Sequence, residues 1–167
     1  MPEAALAPLL DAPFTFSKRP TAVDPDLRPL RRVAILLLLV DACRGAVANL
    51  EQLHVLDWAV RTESTRRSLI EFLTGKRSPE TAIVRFDPTL DRAVCLAVGA
   101  DLLAVTARRP NVVAIPDYRV ELSPNGRAAI DNLDADCFQI ERSFFNSLPR
   151  KLTQADVRDL FTWGLRP

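Results

Sequence analysis

Apolar residues in this chain come in blocks whose spacing changes from segment to segment, and each change marks a boundary. The run VAILLLLV, residues 33–40, is apolar nearly all round a helical wheel, the pattern of a central buried helix. It predicts a first helix from Pro29 to Arg44, stopped by Gly45. In NLEQLHVLDWAVRT, residues 49–62, Asn49 caps a second helix and Gln52 takes the reciprocal position of a capping box. Ser64 or Thr65 opens a third helix over TRRSLIEFL, ended by Gly75. AIVRF, residues 82–86, has the alternation and β-branching of a short strand. Asp87-Pro88 pairs a capping side chain with proline in the first turn, starting a fourth helix that stops at Gly99.

LLAVTA (102–107) and YRVEL (118–122) read as the two strands of a hairpin that turns around Arg109-Pro110. Ser123-Pro124 caps a further helix, expected to run from 124 to 147. Its apolar positions Ile130, Leu133, Cys137, Ile140 and Phe144 fall in steps of three and four, like a coiled-coil seam. A short helix over 154–163 follows Thr153 and ends at Gly164. The expected class is α+β and mainly helical. It divides into a Pro-rich extended arm (1–28), a winged-helix-like domain with a two-stranded hairpin wing (29–123), and C-terminal helices (124–167) that pack on the domain or on a partner.

Proline sets the arm apart. Six of the 13 prolines lie in the first 29 residues, a density that forbids a continuous helix and favours extended chain. Leu9, Leu10, Phe14 and Phe16 are costly to leave in water, so the arm is either a strap on its own domain or a docking segment for a partner. At the other end Leu160, Phe161 and Trp163 are the second candidate partner-binding group, because aromatic anchors dominate interface hot spots.

Composition narrows the function classes. With 22 basic residues against 21 acidic ones, no global field drives the chain onto nucleic acid or an anionic membrane. Cys43, Cys95 and Cys137 are odd in number and widely spaced, which fits a reduced compartment better than a disulfide framework. The longest apolar run falls well short of the ~20 residues of a membrane span. Glu3 and prolines stand where a secretory signal would have a basic region. A soluble, cytoplasmic protein is the expectation.

Candidate chemistry is sparse. His54 is the lone histidine, and it shares a helical stripe with Asp57 and Arg61, so that Asp57 is placed to bridge the two. No second histidine, adjacent cysteine or nucleophile elbow accompanies it, so the stripe reads as a packed helix and no residue as catalytic. Four of the five glycines sit at helix ends, and neither phosphate-binding glycine motif is present. DNLDAD (131–136) lacks the glycine of a calcium loop and reads as a solvated helix face. No metal ligand set and no cofactor site are expected. Arg108 and Arg109 at the hairpin turn, with Arg119 on its flank, are the candidate contacts to a DNA backbone.

The order of helices, strand, helix, hairpin and helix is that of a winged helix-turn-helix. In that fold the helix before the hairpin enters the major groove. Here it is DPTLDRAVCLAV (87–98), which offers Arg92 against Asp87 and Asp91 and is otherwise largely apolar. A base-reading helix needs arginine, lysine, asparagine or glutamine, so the module looks given over to protein contacts. The runs LLLLVDACRG, LEQLHVLDWAVR, IVRFDPTLDRAVCLAVGADLL and LSPNG, across residues 30–130, resemble the middle component of ABC-three-component bacterial defence systems, which are Lamassu-like, and within it the second type. The resemblance implies a small winged-helix protein without chemistry of its own, joining an SMC- or Rad50-like ATPase to an effector such as a nuclease. The competing expectations are a winged-helix DNA-binding transcriptional regulator and a small enzyme of unfamiliar type.

Overall fold

The computed structural model describes residues 28–76, 84, 87–107, 118–133, 136–158 and 160. Seven α-helices and a three-stranded antiparallel sheet make up these residues, an α+β arrangement that is mainly helical. The order is α1 (Pro29–Ala42), β1 (Val47–Asn49), α2 (Leu50–Val60), α3 (Glu63–Leu73), α4 (Pro88–Gly99), β2 (Leu103–Ala107), β3 (Tyr118–Leu122), α5 (Pro124–Asp131), α6 (Gln139–Ser147) and α7 (Gln154–Val157). No helix among the described residues is long and apolar enough to cross a membrane.

Helix α1 is the axis of the core, as its uninterrupted apolar run requires. Leu36, Leu39 and Val40 have no exposed surface, and α2, α4, α5, α6 and the sheet all pack on it. The helix stops at Ala42, two residues before Arg44, because Cys43 turns extended and bridges to Leu152. The N–H of Arg44 donates to the Leu152 carbonyl at 3.0 Å, and that of Leu152 to the Ala42 carbonyl at 3.2 Å. Gly45 then takes a left-handed φ of 74° and aims the chain into β1.

Strand β1 was not expected from the sequence, since three residues carry no readable period. It pairs with β3 (Val47 opposite Glu121, Asn49 opposite Arg119), while β2 pairs with the other edge of β3. The sheet order is therefore β1-β3-β2, with Val120 wholly buried on the central strand. Asn49 ends β1 and caps α2 through the expected capping box, accepting the Gln52 N–H at 2.9 Å while Gln52 Oε1 accepts the Asn49 N–H at 3.0 Å. Helix α3 opens at Thr62, earlier than expected. Thr65, one of the two residues expected to open it, instead serves as the reciprocal partner of that cap.

The helix expected over 124–147 is two helices. Helix α5 ends at Asp131 with Asn132 as its C-cap, a 3₁₀ turn covers Asp136–Phe138, and α6 begins at Gln139. Asn and Asp side chains compete for backbone hydrogen bonds, so DNLDAD interrupts the helix where a solvated face was expected. The seam fails with it. Phe144 is buried, Ile130 and Leu133 are half-buried, but Cys137 is exposed and Ile140 is 63 % exposed. Of the expected strand 82–86 only Val84 is described; it is buried and its N–H donates to the Leu160 carbonyl at 3.4 Å. Helix α7 follows Thr153 as expected but spans only four residues as described.

One glycine is fixed by contact. A Cβ at Gly126 would lie 2.1 Å from the Leu102 carbonyl oxygen, which already accepts the Ser123 N–H at 3.2 Å. Gly126→Ala should therefore cost on the order of 1–3 kcal/mol, because backbone must move. Gly99→Ala, at a position open to space, should change stability by no more than about 1 kcal/mol in either direction. Urea unfolding midpoints of the two variants make the comparison.

Candidate functional site

His54 and Asp57, the most deeply buried polar residues among those described, meet the buried Arg32 at one joint. Arg32 lies in the second turn of α1, on the same face as Leu36 and Leu39, so the helix carries it into the core at 7 % exposure. Its Nη1 donates to Asp57 Oδ1 on α2 at 2.9 Å, and its Nη2 donates to Asp87 Oδ2 at 3.1 Å and to the Thr89 hydroxyl at 2.8 Å. Arg61 closes the ring, donating to Asp57 Oδ2 at 2.6 Å and also to Asp87 Oδ2. Asp87 is at the same time the N-cap of α4, where its Oδ1 accepts the Thr89 N–H at 2.8 Å and the Thr89 hydroxyl at 2.7 Å.

Two arginines and two aspartates thus neutralise one another, and three helices meet at their charges. His54 sits beside them at 2 % exposure, with Nδ1 accepting the Asp87 N–H at 3.4 Å. Burial lowers the pKa of His54 from its ordinary 6.5, outweighing the upward pull of Asp57, Asp87 and Asp91. An acceptor Nδ1 and a lowered pKa both describe a neutral imidazole. Burial alone would raise the Asp87 carboxyl. The hydroxyl and N–H of Thr89, the Arg61 hydrogen bond and the charge of Arg32 reverse that and hold it at about 2.

Asp57 does bridge Arg61, as the helical spacing suggested, but its other oxygen goes to Arg32. Sequence reasoning passed over Arg32, which directly precedes the apolar run 33–40. The signal was available in the spacing of Arg32, Leu36 and Leu39, which puts an arginine on the face that must be buried. No group of three or more metal-ligating side chains occurs among the described residues. Burial pushes the Cys43 thiol up to about 12, so it is no nucleophile at neutral pH.

A second feature is the outer face of α4. Leu90, Ala93, Val94 and Ala97 are buried, and the exposed side carries Pro88, Arg92, Cys95, Leu96 and Gly99. Leu96 is 53 % exposed, and Val105 on the following strand is 49 % exposed. Asp91 accepts the Tyr118 hydroxyl at 2.9 Å, which ties the loop-side end of the hairpin strands to this helix.

The remaining candidates divide by position. Arg119 is half-buried on β3, opposite Thr106, with Nη2 donating to Gln154 Oε1 at 3.3 Å; it is held to α7. Leu160, expected at a partner surface, is 1 % exposed and belongs to the protein's own core. Leu9, Leu10, Phe14, Phe16, Arg108, Arg109, Phe161 and Trp163 lie outside the described residues. A cavity of about 310 Å³ is lined by Arg142, Arg150 and Lys151 near the C-terminal ends of α1, α5 and α6. Its three cations are already engaged, two of them at those ends. Arg142 donates to the Ile130 carbonyl at 2.9 Å and Lys151 to the Asp41 carbonyl, while Arg150 pairs with Asp156. No protein-family model, curated protein or solved structure matches the chain.

The joint predicts a graded acid response. A folded His54 with a lowered pKa leaves the unfolded chain binding more protons below pH 6.5. Its contribution to stability is present above that pH and lost as pH falls toward the lowered value. His54→Gln should therefore flatten the fall in stability between pH 7 and pH 5 (both about) seen for the wild type. The contribution of Asp87 is present above its ordinary 3.8 and lost as pH falls through about 2, so Asp87→Asn, which can still cap α4, should flatten that lower limb. Arg32→Met leaves Asp57 buried with one cation fewer and should cost about 3–5 kcal/mol at neutral pH. Denaturant midpoints across the pH range read all three.

Proposed function

We propose that this chain is a non-catalytic adaptor subunit, joining an SMC-like ATPase to an effector within a cytoplasmic bacterial anti-phage complex. The observation that carries the reading is the outer face of α4. A major-groove helix must present several groups that reach base edges and phosphates. This face presents Arg92 alone, among Pro88, Cys95, Leu96 and Gly99. Such a surface suits a protein partner, where a desolvated apolar anchor ringed by small residues contributes most of the affinity.

The winged-helix part of the reading draws support from the sheet. A winged helix pairs a short strand after its first helix with the far strand of the wing, and the order β1-β3-β2 has that form. Helix α3 is then an addition between the second helix and the one before the hairpin. The adaptor role itself comes from the resemblance of residues 30–130 to the middle component of ABC-three-component systems. In this reading the paired joint of Arg32, Asp57, Asp87 and Arg61 has a structural role, setting where α1, α2 and α4 meet.

Co-expression with the products of its neighbouring genes tests the proposal, which requires an SMC-like ATPase and an effector among them. The chain should co-purify with them, and Leu96→Glu should abolish co-purification while the melting temperature stays within a few degrees. The isolated chain should bind duplex DNA only weakly, without sequence preference and with a steep loss on adding salt. Nanomolar binding to one duplex at physiological salt, lost on replacing Arg92 and Arg119, would replace the adaptor by a winged-helix regulator.

A further inference from the structure

Two of the described helices leave a groove open between them. Helices α3 and α6 line a cavity of about 580 Å³ whose apolar surface comes from Ile70, Ile140 and the buried Phe144, with Arg66 and Glu71 among its charged lining. Ile140, at 63 % exposure, is one of the two most exposed large apolar side chains among the described residues. The other is Leu30, at 86 %, in the first turn of α1. These two flank a single contact. Arg31 Nη2 pairs with Glu141 Oε1 at 3.0 Å, and the same guanidinium lies 5.7 Å from the centre of the Phe138 ring. That contact pins the start of α1 to the side of α6, so the first 27 residues of the chain join the fold next to the groove.

We propose that this groove holds the chain's own N-terminal segment, with Leu9, Leu10, Phe14 and Phe16 filling it. The inference stands independently of the adaptor role. Reach is ample. Phe16 precedes Arg28 by 12 residues, which extended chain can carry about 40 Å, and Ile140 in the groove is next in sequence to Glu141 at the pin. Chemistry matches as well. Extended chain puts Phe14 and Phe16 on the same side, and a proline-rich segment enters a groove with little backbone freedom left to lose.

Leu30 and Ile140 mark the path such a segment takes as it doubles back, and it would cover both. A second copy of the domain fits less well. The groove is lined by ten residues, against roughly 20–30 a side in a stable interface between globular partners.

Photo-cross-linking in the full-length chain tests the proposal. With p-benzoylphenylalanine in place of Phe14 or Phe16, cross-links should form at monomer mass and map to α3 and α6, around Ile70, Ile140 and Ser143. Ile140→Glu, at an exposed position that leaves the fold intact, should lower their yield roughly tenfold while lowering the melting temperature by no more than a few degrees. Cross-links spread over other faces, their absence, or a yield unaffected by Ile140→Glu would overturn the proposal. So would products at dimer mass, which would give the groove to a second copy.

Discussion

An arginine that cannot stay in the core without two carboxylates organises this protein. Arg32 is carried inward by the same helix face that buries Leu36 and Leu39, and once there its charge must be met. Asp57 meets it from α2 and Asp87 from the start of α4, with Arg61 balancing the second negative charge. Buried pairs of this kind add little net stability over a well-packed apolar core, because desolvation consumes the attraction. Breaking one is costly. The network therefore acts less as glue than as a constraint on which helices may meet, and at what point along each.

Asp87 transmits that constraint to the surface. The same carboxylate that faces Arg32 and Arg61 also caps α4 through Thr89. Helix α4 consequently begins at a point fixed by the core, and its rotation follows from the burial of Leu90, Ala93, Val94 and Ala97. What remains outside is the face with Leu96. Tyr118, bonded to Asp91, fastens the hairpin to the same helix.

The sequence made three of the helix starts legible because their signals are local. Asn49 with Gln52, Asp87-Pro88 and Ser123-Pro124 each combine a capping side chain with a fixed partner a few residues away, and each is where the helix begins. Features that depend on distant residues were not legible. Strand β1 exists because β3 offers an edge, and its three residues carry no pattern of their own. DNLDAD has helical spacing on either side, yet α5 ends at Asp131 within it and α6 begins only at Gln139. The polar stripe of α2 was visible. The arginine that completes it is 25 positions away on another helix, and only the fold brings it there.

The central claim is that the charged joint is a structural constraint on how the helices meet. A double-mutant cycle on Arg32 and Asp57 tests it most directly. Replacing both, as Arg32→Met with Asp57→Leu, removes one charge of each sign and leaves Arg61 and Asp87 to pair with each other. The account predicts that this double variant is more stable than either single variant, with a coupling between the two positions in the upper part of the roughly 0.5–3 kcal/mol range for contacting pairs. Losses that simply add, leaving the double variant the least stable of the three, would contradict it.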